Sequence, residues 1–202
     1  MIAGMITPLV AFILMQAPGV RPQPRPGLSW EDADSLDQKL RRIEARAGAR
    51  GAPAGETIEI SQRELNSYLG LTLAPQMPQG VSDVDVGLTP DRVEARATLD
   101  LDRLKGQISL KGGPFNPLSY LGGLVPLQVR GGLPNQDGLA SVALEDVRLG
   151  GVSVPDALVG QLVAAATRST ANPQGFDIRT PFRLPYGIKR VRLAAGKATL
   201  EL

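Results

Sequence analysis

Between residues 80 and 102 apolar and polar side chains alternate with a period of two on both sides of a turn. Val84, Val86 and Leu88 point one way and Asp83, Asp85 and Gly87 the other. After Thr89-Pro90-Asp91-Arg92, Val93, Ala95, Ala97, Leu99 and Leu101 alternate with Glu94, Arg96, Thr98, Asp100 and Asp102. Successive strand side chains face opposite sides of a sheet, and a Pro-Asp pair favours a tight reversal, so this stretch is an antiparallel hairpin with one dry and one wet face. Setting Leu88 opposite Val93 places Asp85 across from Arg96, a favourable cross-strand pair.

Further short strands are expected over Gln107 to Lys111, Leu124 to Arg130 and Leu139 to Leu149. The glycine doublets at 112–113, 122–123, 131–132 and 150–151 punctuate them as turns. The tail alternates again: Phe176, Ile178, Thr180, Phe182 and Leu184 against Asp177, Arg179 and Arg183. A turn at Pro185-Tyr186-Gly187, a strand over Ile188 to Ala194, a turn at Gly196 and a last strand carrying Ala198, Leu200 and Leu202 follow.

Three helices interrupt this pattern. Leu36, Leu40, Ile43 and Ala47 form a narrow apolar stripe over Asp34 to Ala47. After an alternating strand (Glu56 to Ile60), Ser61-Gln62-Arg63-Glu64 has the spacing of a capping box. It opens a short second helix with Leu65, Tyr68 and Leu69 on its apolar face and Gly70 as its stop. The third helix begins at Ser153-Val154-Pro155-Asp156. Leu158, Val159, Leu162, Val163 and Ala166 give it a broad apolar face that demands burial.

The N-terminus has a different character. Ile2 to Met15 carries no charge and is mostly apolar, too short to span a bilayer comfortably but suited to a secretory leader or an uncleaved anchor. Pro18 to Gly27 has prolines at 18, 22, 24 and 26, as expected of an extended spacer. The expected organisation is a leader or anchor over 1–17, a proline-rich linker over 18–33 and one folded domain over 34–202. Its expected location is the cell envelope, periplasmic or tethered to the inner membrane and facing the periplasm.

Little chemistry is available. The chain lacks cysteine and histidine, which removes disulfides, thiolate nucleophiles, the usual zinc and haem ligands and Ser-His-Asp catalysis. A net charge of +2 gives no reason to expect nucleic acid. No phosphate-binding loop, dinucleotide fingerprint, nucleophile elbow or calcium loop occurs. The acidic group Asp83, Asp85, Asp100 and Asp102 falls on the wet side of the hairpin, where solvation and cross-strand pairing outweigh a carboxylate hydrolase. Neither a catalytic residue, a cofactor nor a metal is expected.

The order of elements, with Ile60-Ser61-Gln62-Arg63-Glu64-Leu65-Asn66-Ser67-Tyr68-Leu69 following a strand, resembles the YceB/YpmS/LmeA-like bacterial envelope lipid-binding proteins. These are similar in architecture to tubular lipid-binding (TULIP or BPI-like) domains. The resemblance covers about residues 55 to 202, and its motif is short. The lipobox cysteine of the lipoprotein members is missing here, and the strands are short for a long lipid tube. It implies an α+β fold in which a curved antiparallel sheet wraps a long buried helix, with two shorter N-terminal helices.

The implied partner is a lipid or other apolar small molecule, or a membrane surface; a protein partner is left open. An apolar groove would then be lined by Leu65, Tyr68 and Leu69 from the second helix and by Ala95 and Ala97 from the hairpin. Phe115, Leu118, Tyr120 and Leu121 from an aromatic-rich segment, Leu158, Leu162 and Val163 from the third helix, and Phe176 and Phe182 from the tail complete it. The alternative is a structural or assembly module with a tightly filled interior and no ligand.

Overall fold

The computed structural model describes residues 23–48, 55–107, 122–156, 159–160, 163–164 and 173–202. Helix α1 (Trp30–Gly48) is followed by strand β1 (Thr57–Ser61) and helix α2 (Gln62–Ser67), which runs on through a π-helical turn (Tyr68–Leu73) and a 3-10 turn (Ala74–Gln76). Next come β2 (Val81–Thr89), β3 (Arg92–Asp100), α3 (Leu101–Gln107), β4 (Leu124–Gly132), β5 (Asn135–Gln136), β6 (Leu139–Ala140), β7 (Ala143–Leu149) and β8 (Val152–Ser153). After a helical segment at Asp156, Val159–Gly160 and Val163–Ala164, the chain ends with β9 (Phe182–Arg183), β10 (Arg190–Ala194) and β11 (Lys197–Glu201).

The strands form three antiparallel sheets, ordered β1-β11-β10, β2-β3-β4-β7-β8 and β5-β6-β9. The α+β class with antiparallel sheets is thus correct. A long buried helix wrapped by a sheet is not among the described residues. The long helix there, α1, lies instead on the three-stranded sheet, where Ile43 packs with Ile58, Ile188, Leu200 and Leu202.

The expected hairpin is present in the expected register, with Leu88 opposite Val93 and Asp85 opposite Arg96. A bulge between Ser82 and Asp85 puts Asp83 at φ 53°, and Asp91 closes the two-residue loop at φ 60°. The capping box also forms: the Ser61 hydroxyl accepts from the Glu64 backbone N–H while the Glu64 carboxylate accepts from the Ser61 N–H.

Several expectations are corrected. Gly70 does not stop α2; a Cβ there would lie 2.6 Å from Leu28 Cδ1, so its smallness serves close packing, and the chain stays helical to Gln76. Gly131 and Gly132 are not a turn but the end of β4, paired with Val93 on one side and with Leu144 and Ala143 on the other. A Cβ on Gly131 would meet the Ala143 carbonyl oxygen at 2.5 Å, which explains glycine in a central strand.

Leu101 starts α3 rather than ending β3, and Gln107 is helical; the rest of the strand expected at 107–111 lies outside the described residues. The strand expected from Leu139 to Leu149 is divided between two sheets. Asp137 and Gly138, both at positive φ, close a two-residue hairpin between β5 and β6, a signal overlooked in the sequence. In the tail, alternation over Phe176 to Thr180 gives turns because the Asp177 carboxylate accepts from the Arg179 backbone N–H at 3.0 Å.

Candidate functional site

The five-stranded sheet segregates its side chains by face. Registered rows place Val86, Ala95, Val129 and Val147 on one side, with Ala97, Leu127 and Leu149 in the next row and Val81, Leu99 and Val125 beyond. The opposite face carries the row Asp85, Arg96, Gln128 and Arg148 and the row Glu94, Arg130 and Asp146. Arg130 Nε meets Glu94 Oε1 at 3.0 Å, and Arg148 Nε meets Asp146 Oδ2 at 2.9 Å. Hydrogen bonding to Arg130 holds the Glu94 carboxyl below its ordinary range, as an exposed ion pair does.

Cover on the dry face is uneven. Toward β4 and β7, Val147 packs with Val159 and Ile178, joined by Val163, Phe176, Leu127 and Val129. At one end of the sheet Leu101, Leu104, Val125 and Leu149 form a second buried group with Val81, Leu99 and Val154 around it. Val147 and Leu149 of β7 are buried, whereas Leu127 and Val129 of β4 and, beyond them, Val86, Ala95 and Ala97 of β2 and β3 are only half-buried. Alanine fills less space than leucine, so the surface over Ala95 and Ala97 lies lower than over Leu127 and Leu149.

The residues expected to line a groove therefore divide. Ala95 and Ala97 share the dry face, and Val163 and Phe176 belong to its cover. Phe182 joins through an edge-to-face contact with Phe176, centroids 5.3 Å apart. The α2 side differs. Tyr68 is 7% exposed, and burial, with the Asp37 carboxylate of α1, raises its pKa. Its ring thus belongs to the α1 interface, while Leu65 and Leu69 are half-buried. Phe115, Leu118, Tyr120, Leu121, Leu158 and Leu162 lie outside the described residues.

The polar members of the motif that carried the resemblance close strand edges. Asn66 and Gln62 sit one helical turn apart and both meet the free edge of β2. Asn66 Oδ1 accepts from the Val86 N–H at 2.8 Å while its Nδ2 donates to the Val86 carbonyl at 3.0 Å, the two bonds a neighbouring strand would make. Gln62 Oε1 accepts from the Leu88 N–H at 2.8 Å, and the Gly196 N–H, from the β10–β11 turn, donates to the Leu88 carbonyl at 2.9 Å. Asn135 repeats the device on β10, accepting from the Val191 N–H at 2.7 Å and donating to its carbonyl at 2.8 Å. Sequence reasoning missed these roles, because a side-chain amide discloses no partner strand.

Glu64 does the same for β1 and is the most perturbed acid described. Its Oε1 accepts from Ser35 Oγ at 2.5 Å and Lys39 Nζ at 2.6 Å, and its Oε2 from the Ser61 N–H at 2.8 Å and Ser61 Oγ at 3.0 Å. Lys39 Nζ also donates to the Glu59 carbonyl at 2.7 Å. Burial alone would raise the Glu64 pKa; the donors, Lys39 foremost, outweigh it and bring it to about 2. A carboxylate so saturated is a poor base, and the cluster is a structural staple joining α1, β1 and α2.

The hairpin acids are likewise engaged. Asp83 meets Arg25, Asp85 accepts from Asn66 Nδ2, Asp100 caps the Arg103 N–H and Asp102 accepts from the Gly123 N–H. Among the described residues no group of three acidic side chains is placed to hold a metal ion, and no helix is long and apolar enough to cross a membrane. Comparison with protein families, with characterised proteins and with solved structures found no match.

Proposed function

We propose that this protein is an exported cell-envelope domain that binds a lipid or another apolar molecule on the dry face of its five-stranded sheet. The observation that carries the reading is the uneven cover of that face: Val147 and Leu149 of β7 are buried, whereas Val86, Ala95 and Ala97, with Leu127 and Val129 of β4, are only half-buried. The helical segment from Asp156 acts as the roof, since Val159 and Val163 already face the sheet at its covered side. Phe176 and Phe182, in edge-to-face contact, supply the aromatic surface beside it. Binding is by burial of apolar surface, worth about 25 cal/mol per Å², and needs no reacting group. The uncharged Ile2 to Met15 stretch supports export or tethering.

The test is uptake of a fluorescent acyl-chain probe by the full chain, together with native mass spectrometry of the purified protein. Uptake by the wild type and a several-fold loss in Ala97→Phe, with unchanged circular dichroism, is the expected result. A wild type that neither carries lipid nor takes up the probe overturns the reading. The second reading, a structural module without ligand, is favoured by the systematic closure of strand edges by Glu64, Gln62, Asn66 and Asn135. It predicts that Ala97→Phe destabilises the fold and that no probe binds.

A further inference from the structure

One end of the five-stranded sheet gathers most of what is apolar and exposed. There β2 begins at Val81, β3 ends at Asp100, β4 begins at Leu124 and the β7–β8 turn runs through Gly150 and Gly151. These points are adjacent: the Asp100 N–H donates to the Gly80 carbonyl at 2.7 Å, Asp100 registers with Leu124, and the Gly150 N–H donates to the Pro126 carbonyl at 2.8 Å. Leu124 is 73% exposed and Val152 59% exposed, two of the three large apolar side chains on open display among the described residues. Residues 65–82, which lead into this end, contain no charged side chain. Asp83, Asp100 and Asp102 there are each engaged by a neighbour, Arg25, Arg103 and the Gly123 N–H.

The N-terminal spacer enters at the same end. Arg25 Nη1 lies 2.5 Å from Asp83 Oδ1, the Leu28 side chain sits against Gly70, and the Ser29 N–H donates to Ser67 Oγ at 3.1 Å. Residues 16–24 separate Arg25 from the uncharged run Ile2 to Met15 and reach at most about 32 Å even when fully extended. The opposite end of the sheet is polar: it carries the Pro90–Asp91 loop and the Arg92–Glu145 ion pair, and the β10–β11 turn bonds there to Leu88.

We infer that this end of the sheet, marked by Leu124 and Val152, rests on a lipid bilayer surface, with the N-terminal run held in the same membrane. The inference builds on the reading of an envelope protein and adds which surface meets the lipid. Exposed leucine and valine gain by leaving water, and engagement of the local carboxylates lowers the cost of approaching acyl chains. A groove whose half-open part lies on β2 and β3 would then open close to the membrane.

The chain has no cysteine, so single-cysteine variants report position cleanly. Leu124→Cys, Val152→Cys, Glu145→Cys and Gln136→Cys in the full chain, each carrying an environment-sensitive fluorophore, are mixed with phosphatidylcholine vesicles containing brominated acyl chains. Several-fold stronger quenching at positions 124 and 152 than at 145 and 136 is expected. Leu124→Glu combined with Val152→Glu, both exposed and so compatible with folding, should weaken vesicle binding several-fold. Equal quenching at both ends, the reverse order, or no quenching anywhere overturns the inference. Probe uptake, measured on the same preparations, is scored separately. Asymmetric quenching without uptake removes the carrier and keeps the orientation, whereas uptake without asymmetry does the opposite.

Discussion

The two larger sheets solve the same problem to different degrees. In the β1-β11-β10 sheet, α1 builds a buried core, with Ile43 1% and Leu202 3% exposed, while Ile60 and Val191 at its margin stay half-buried. Both strand edges are met by side chains, Lys39 and Glu64 on β1 and Asn135 on β10. The five-stranded sheet is sealed in the same manner along β2, yet its dry face grades from Leu149 at 2% exposed to the half-buried Ala95 and Ala97. The β1, β2 and β10 edges are thus met by side chains that occupy groups another chain could otherwise pair with. Apolar cover centres on one helix, α1, in the first sheet and thins across the dry face of the second, and the proposed binding rests on that difference.

The largest effects should come from the finished core. Ile43→Ala should cost about 2–5 kcal/mol, because a buried site against two layers cannot collapse around the void. Urea unfolding of the full chain measures it. Ala97→Leu provides the contrast: a filled interior would make the added carbons cost about 1–3 kcal/mol through overpacking, whereas a half-open groove should accept them with little change. Equal penalties at the two positions would erase the difference between the sheets.

Next in size is the Glu64 staple. Its pKa is lowered from 4.5 to about 2, so the folded state holds the proton less tightly than the unfolded chain. The resulting stability is fully present above about pH 4.5, declines as pH falls toward 2, and amounts to about 3 kcal/mol. Glu64→Gln should lower stability at pH 7 by an amount of that order and flatten the acid limb between pH 4.5 and 2. Urea midpoints of both proteins across that range provide the check. An acid limb as steep in the variant as in the wild type would show that the staple holds nothing together.

How much of this was legible follows from the range of each signal. The hairpin register could be read because alternation, a Pro-Asp turn and the Asp85–Arg96 pair act within a few residues and agree. The capping box is equally local. Reading failed where a distant partner decides: Gly70 yields to Leu28, Gly131 to the Ala143 carbonyl, and the amides of Asn66 and Asn135 to strand edges far along the chain. It failed too where two local rules compete, as when the Asp177 carboxylate captures the Arg179 N–H and breaks an alternating run. On the dry face, Ala95 and Ala97 were legible as inward and small, but Tyr68 was not assignable, since a helix stripe does not say which layer it meets.

Asn66→Ala should cost about 1–3 kcal/mol by leaving the Val86 N–H and carbonyl without partners. It should also expose β2 as a pairing edge. Sedimentation of the variant at rising concentration should reveal self-association that the wild type lacks. If the variant stays monomeric, the bulge at Asp83 is enough to protect the edge. The smallest effect belongs to the wet face. Arg130→Ala removes the Glu94 pair on exposed side chains and should leave the urea midpoint almost unchanged, the more so in high salt. A larger loss would mean that the outer face, with its rows of arginine and carboxylate, stiffens the sheet, and that the uneven cover of the inner face is compensated from outside. A change near zero leaves the inner face as the one that determines the stability of this sheet.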